Sequence, residues 1–148
     1  NSLGWNYRIT NLQAALGLAQ ISNVDERVAR RREVGRQYHE RLSELPSITM
    51  QPIANDLAQN IFWVVGVLVE SNEQRLHLIS ELERRNVGTR PLFYPLHMQP
   101  ALAGFWRGDS RDLGVANELY ERGFYLPGGA GISDEQIEVV CTILSTLV

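Results

Sequence analysis

The sequence has 148 residues, 44% of them apolar, and a formal net charge of −3, which is enough chain for one hydrophobic core and a charge balance that marks no particular partner. All 14 basic residues are arginine, so no amine side chain is present to form a Schiff base and amine-based covalent catalysis within this chain is excluded. No apolar run approaches the roughly 20 residues a bilayer-spanning helix needs, and no signal-peptide pattern opens the chain. A soluble, cytoplasmic protein is expected, and the abrupt start at Asn1-Ser2-Leu3 reads as a fragment.

Thr10 with Gln13 three residues on has the form of a capping box and predicts a helix from about Asn11 to Ile21. Asn6, Tyr7 and Arg8 then lie in a loop at the positive end of that helix, where backbone donors and a guanidinium favour an anion such as phosphate or carboxylate. On spacing alone an ordinary capped helix is the plainer reading. Leu12, Ala15, Leu16 and Ala19 form one stripe with Ala14, Leu18 and Ile21 beside it, and a helix apolar on most sides is expected to be buried. Its small residues suit close packing at a domain or subunit boundary; an ordinary core helix is the alternative.

Asn23 followed by Glu26 predicts a second capping box and a long, half-exposed helix to about Leu45, stopped by Pro46. Its inward positions are Val24, Val28, Tyr38, Leu42 and Leu45, with Arg31 and Gly35 between, and Glu26 and Arg30 form an i,i+4 pair outside. The run Arg30-Arg31-Arg32 is interleaved with Glu26, Glu33, Glu40 and Glu44, the pattern of a solvated, salt-bridged face, and no nucleic-acid partner is read from it. Residues 47–59 form a connection containing one short extended piece. Ile61 to Val69 is apolar throughout, β-branched and aromatic, and predicts a strand buried on both faces at the sheet centre.

Ser71 with Gln74 caps a third helix, ending near Asn86, with Leu76, Leu78, Ile79 and Leu82 inward. Val87 to Phe93 is the next expected strand and leads into a loop held by Pro91, Pro95 and Pro100. A short helical turn over Ala101 to Trp106, a polar link from Arg107 to Arg111 and a helix from Asp112 to Arg122, with Leu113, Ala116, Leu119 and Tyr120 facing in, follow. Phe124 to Pro127 is extended, residues 128–131 are a glycine turn, and Ser133 with Gln136 caps a last helix carrying Ile137, Val140, Cys141 and Leu144. That glycine turn lacks the buried strand before it and the Lys-Ser/Thr ending that define a phosphate loop.

His39 and His77 lie among charged residues on helices and read as surface positions. His97 sits between prolines in a rigid loop just past a strand, where functional residues often lie, although a histidine bonded to backbone is the plainer reading. Histidines at 39, 77 and 97 and the lone Cys141 have no metal-ligand spacing. Cys141, in an apolar helical run, reads as a small core residue.

Gly4-Trp5-Asn6-Tyr7-Arg8-Ile9-Thr10-Asn11-Leu12-Gln13-Ala14-Ala15 closely resembles a segment of the DegT/DnrJ/EryC1/StrS sugar aminotransferases, Trp5 and Ile9 being mild departures. Val87 to Pro100, and Leu126-Pro127 with Ile132 to Ile137, resemble two further stretches of that family in the same order. The resemblance implies pyridoxal 5′-phosphate (PLP) bound to a lysine in a large N-terminal domain, and amino transfer, usually from glutamate, to a nucleotide-linked keto sugar. It implies that residues 1–148 are the C-terminal domain of such an enzyme, an α/β (α+β) fold with a small antiparallel sheet covered by helices. Residues 1–22 then join it to the large domain and the dimer interface, and the fragment alone is inactive.

Family homodimers build each site from two subunits, which implies that Asn6 binds the cofactor phosphate of the partner with Tyr7 and Arg8 close by. Arg90, Tyr94 and His97 are implied to face the sugar nucleotide. The form Thr89-Arg90-Pro91 through His97 is most similar to that of perosamine synthases, which act on GDP-4-keto-6-deoxymannose. A non-catalytic dimerisation and small-molecule-binding module reusing the fold, with Arg8 and Arg90 as anion anchors, is the competing reading.

Overall fold

The computed structural model describes residues 2–105 and 113–148. In chain order these form α1 (Asn11–Ile21), α2 (Val24–Leu42), β1 (Thr49–Met50), β2 (Val65–Leu68), α3 (Asn72–Arg84), β3 (Arg90–Pro91), two 3₁₀ turns (Leu96–Met98 and Pro100–Leu102), α4 (Gly114–Arg122), β4 (Gly123–Leu126) and α5 (Asp134–Ser145). Trp106, the link from Arg107 to Arg111 and Asp112 lie outside the described residues.

Capping chemistry sets most helix starts. The Thr10 hydroxyl accepts from Gln13 N at 3.3 Å while Gln13 Oε1 accepts from Thr10 N at 2.8 Å, and Ser133 and Gln136 form the same reciprocal pair. Ser71 caps α3 through Gln74 N, but Gln74 Oε1 turns to Glu70 N at 2.9 Å. Asn23 makes no side-chain cap, contrary to expectation. The chain passes from α1 to α2 through two residues, and Asn23, at ψ 22°, lacks the extended backbone that aims a cap at the next turn.

The four strands lie in the order β1-β2-β4-β3, every pair antiparallel. β2 is central, as its composition predicts, but shorter than the apolar run around it. Asn60 Oδ1 accepts from Phe62 N at 2.7 Å and Phe62 has φ 52°, so the chain kinks and the Phe62 ring swings against Gly35 of α2. Trp63 on the other side of the kink is 66% exposed. Burial on both faces holds through Val65, Gly66 and Val67, with Leu68 half-buried: Val65 and Val67 turn inward with Leu126 and Phe124, while Gly66, on the other face, donates its N–H to Gln51 Oε1 at 3.1 Å. The expected strand from Val87 to Phe93 contracts to Arg90 and Pro91 at the sheet edge, where a residue without an N–H is tolerated.

The core lies between one sheet face and α2, α3 and α5, filled by Val34, Tyr38 and Leu42, Leu78 and Leu82, Phe124 and Leu126, and Ile137, Cys141 and Leu144. In α2 the inward line is Val34-Tyr38-Leu42, so Val24 is exposed and Val28 half-buried. In α3 Arg75, Leu78 and Leu82 share the inner face and Leu76 points out. Arg30 reaches across to Asp134 at the start of α5, at 2.9 Å, instead of pairing with Glu26. The salt-bridged face of α2 is present at Arg36, which bonds both Glu33 and Glu40. His77 is exposed and His39 half-buried.

α1 departs most from expectation: none of its residues is buried, and Leu12, Leu16, Leu18 and Ile21 are all more than half exposed. An apolar helix is buried only where something covers it, and the described residues supply no cover. Among the described residues no helix is long and apolar enough to cross a membrane.

Candidate functional site

The loop before α1 presents donors outward. Asn6 Oδ1 accepts from both the backbone N–H of Arg8 at 3.0 Å and its Nε–H at 3.3 Å. This local bond fixes the Asn6 amide with its oxygen inward, so Asn6 Nδ2 and the two terminal nitrogens of Arg8 are left without partners among the described residues. Tyr7 is 86% exposed beside them. Hydrogen-bond donors of one kind, one of them charged, converge on one turn of chain, a set that fits an anion with several acceptor oxygens.

A second group lies on the sheet face opposite Phe124 and Leu126. Antiparallel pairing sets Arg90 opposite Tyr125 and Tyr125 opposite Gly66, one row across three strands. Residues paired across strands share a face, so Arg90, Tyr125 and Gly66 lie on one face, opposite the buried Phe124 and Leu126. Phe93 packs on Tyr125 with ring centres 6.4 Å apart, and Trp63 stacks on Phe93 at 5.8 Å with the planes only 7° apart. Arg90, Trp63 and Tyr125 line an open cavity of about 580 Å³, joined at its rim by Arg31, whose guanidinium donates to Trp63 O at 3.1 Å. Among the described residues Arg90 pairs with no carboxylate.

Tyr94 and His97 follow in the proline-rich segment. Tyr94 is 39% exposed and its ring meets Tyr120 of α4 edge-on, centres 4.9 Å apart and planes at 82°. His97 is half-buried and lines a different, mainly apolar cavity of about 530 Å³ with Leu102, Phe105 and Leu113. Arg90 and His97 thus open onto separate cavities, and neither cavity includes Asn6, Tyr7 or Arg8.

Sequence reasoning gave Trp63 and Tyr125 no place in the site and read Tyr120 only as an inward residue of its helix, where it is indeed half-buried. The signal for Tyr125 is the alternation in β4, where Phe124 and Leu126 are buried and the residue between them must face the other way. Trp63 owes its place, and Tyr120 its partners Tyr94 and Arg75, to non-local contacts that no spacing rule encodes. Among the described residues no group of His, Cys, Asp and Glu could hold a metal ion.

The model of the DegT/DnrJ/EryC1/StrS aminotransferase family matches residues 1–145. The chain is 32% identical over 139 residues to the GDP-perosamine synthase of Escherichia coli O157:H7, covering 94% of this chain and 36% of that protein. To the GDP-perosamine synthase of Caulobacter vibrioides it is 33% identical over 144 residues, covering 96% of this chain and 38% of the relative. Among solved structures, S. venezuelae DesV in complex with a ketimine intermediate aligns with a TM-score of 0.85 at 25% identity, covering 98% of this chain and 38% of that one. The chain therefore spans somewhat over a third of the length of the curated relatives it matches.

Proposed function

We propose, because the chain belongs to the DegT/DnrJ/EryC1/StrS aminotransferase family, that it is the C-terminal part of a homodimeric, PLP-dependent enzyme that moves an amino group from glutamate onto a nucleotide-linked keto-deoxy sugar in polysaccharide or amino-sugar biosynthesis. The observation that carries this reading is the identity to two GDP-perosamine synthases over 94% and 96% of the chain. It makes GDP-4-keto-6-deoxymannose the first substrate to test.

Bound PLP supplies the electron sink that lets an amino group leave one carbon and join another. The part of this chain is to hold and orient. Asn6 and Arg8 would grip the cofactor phosphate of the partner subunit, with Tyr7 alongside. The fit is chemical: a phosphate dianion takes only donors, and the Asn6 oxygen, which would repel it, is already occupied by Arg8. Arg90, which pairs with no carboxylate among the described residues, would meet an anionic group of the nucleotide sugar, with Tyr94 and His97 orienting the sugar.

The test uses the longer polypeptide that carries this chain, purified with PLP and assayed for glutamate-dependent amination of GDP-4-keto-6-deoxymannose. Amination supports the reading; no amino transfer to this or to other nucleotide-linked 4-keto or 3-keto sugars overturns it. His97→Ala should raise KM for the nucleotide sugar more than it lowers kcat. For the phosphate contact, a heterodimer of one Asn6→Ala subunit and one subunit lacking the Schiff-base lysine should keep one working site at limiting PLP. If that heterodimer binds PLP as weakly as the Asn6→Ala homodimer, the contact does not cross between subunits.

A further inference from the structure

Behind Tyr94 lie two side chains that the reading above leaves without a role. Arg75, on α3, is only 7% exposed. Its Nε and one terminal nitrogen both donate to Asn72 Oδ1, at 3.2 and 2.8 Å, and no carboxylate pairs with it among the described residues. Its guanidinium carbon instead sits 5.7 Å from the centre of the Tyr120 ring, within cation–π reach. Tyr120 in turn meets Tyr94 edge-on at 4.9 Å. Arg75, Tyr120 and Tyr94 form one unbroken line of contacts from the buried face of α3 to the open side of the proline-rich segment.

Two further facts give the line a purpose. A buried guanidinium without an ionic partner is costly, and an apolar residue of similar length would fill the same space without that cost. And the segment that carries Tyr94 is poorly tied down by its backbone: the N–H groups of Phe93 and Tyr94 make no backbone hydrogen bond among the described residues, between Leu92 N to Gly123 O at 3.1 Å and Met98 N to Pro95 O at 3.0 Å. Phe93 on its stack and the buried Pro95 hold the chain on either side, and the ring of Tyr94 itself rests with its edge on Tyr120.

We infer that Tyr120 and Arg75 are positioning residues for the sugar-nucleotide site, Arg75 fixing the Tyr120 ring and Tyr120 fixing Tyr94, whose outer side is left free for the substrate. This rests on the reading of Tyr94 as a substrate-facing residue. The experiment uses the full-length, PLP-loaded enzyme with GDP-4-keto-6-deoxymannose. Tyr120→Leu should raise KM for that substrate about three- to tenfold, the worth of one aromatic pair, with the glutamate half-reaction unchanged. Tyr120→Phe keeps the ring and should keep the wild-type KM. Arg75→Met, which retains length and loses charge, should fall between them and makes the same test if Tyr120→Leu does not fold.

In a Tyr94→Ala background Tyr120→Leu and Arg75→Met should add nothing, because the contact they support is gone. The inference is overturned if either variant raises KM as much in that background as in the wild type, or if it slows both half-reactions equally, as a general loss of structure does. If Tyr94→Ala itself leaves KM unchanged, the substrate role of Tyr94 fails and takes the inference with it. Failure of the positioning alone leaves the Tyr94→Ala defect in place.

Discussion

Gly35→Ala tests the packing of α2 against the kink before β2. A Cβ built on Gly35 would stand 2.1, 2.2 and 2.5 Å from three atoms of the Phe62 ring, far inside the 3.5–4.0 Å at which carbon atoms rest. The ring is 1% exposed and its backbone is held in the left-handed region at φ 52°, so it has little room to withdraw. Overpacking of this kind costs about 1–3 kcal/mol, and three simultaneous overlaps place it at the upper end of that range. Against it stands the gain of about 1 kcal/mol from replacing glycine by alanine inside a helix. The net is a destabilisation of about 2 kcal/mol, which at a urea m-value of about 2 kcal/mol/M lowers the unfolding midpoint by about 1 M. Urea unfolding followed by circular dichroism reads it directly. In a Phe62→Ala background, studied in stabilising sulfate if needed, the overlap disappears and Gly35→Ala should stabilise by about 1 kcal/mol. The reasoning is refuted if Gly35→Ala is neutral or stabilising in the wild type, or if its effect is the same in both backgrounds.

Hydrogen bonds from Arg36 and then Gln37 hold the Glu33 carboxyl down to about 2, so its contribution is complete above its unfolded pKa of about 4.3 and is lost as the pH falls through about 2. With the side chain 37% exposed, screening limits this to about 1 kcal/mol or less, and Glu33→Gln should flatten the acid limb of a stability–pH curve between those values; an unchanged limb refutes it. Burial pushes the Cys141 thiol up to about 11, so iodoacetamide at pH 8 should label the native protein roughly a hundredfold more slowly than the urea-unfolded chain. The linked stability is whole below the unfolded thiol pKa of about 8.5 and falls away as the pH rises through about 11; rates within tenfold of each other would contradict the burial. Tyr38→Phe removes the hydroxyl that donates to Pro127 O at 2.9 Å and should cost about 1 kcal/mol in urea unfolding, whereas an unchanged midpoint means that solvent satisfies the Pro127 carbonyl equally well.

What could be read from the sequence was what is decided within one turn of chain. Thr10–Gln13 and Ser133–Gln136 are local pairs, and both form. The strand at Ile61–Val69 was legible as central but not in length, because the kink at Phe62 depends on Gly35 lying opposite it on another element. The inner face of α3 was misjudged at Leu76 because apolarity outweighed geometry: Arg75 has the right angular position and is buried through Asn72 and Tyr120. Burial of α1 was misjudged because apolarity alone does not say what covers a helix, and among the described residues nothing buries Leu12, Leu16, Leu18 or Ile21. At the site, Asn6 and Arg8 stand out as neighbours in sequence, whereas the Arg90–Tyr125 row exists only through strand pairing across more than thirty residues.

The order of the sheet has a consequence for synthesis on the ribosome. β4, the last strand made, lies between β2 and β3, so until residues 123–126 emerge neither earlier strand has its central neighbour. Throughout that interval β2 keeps one open edge and β3 has no partner, and the apolar side chains of Val65 and Val67 wait for Leu126 and Phe124. Such late, long-range closure slows folding and prolongs the exposure of sticky edges. A nascent chain stalled before Gly123 should therefore be a client for holding chaperones, and one released past α5 should not.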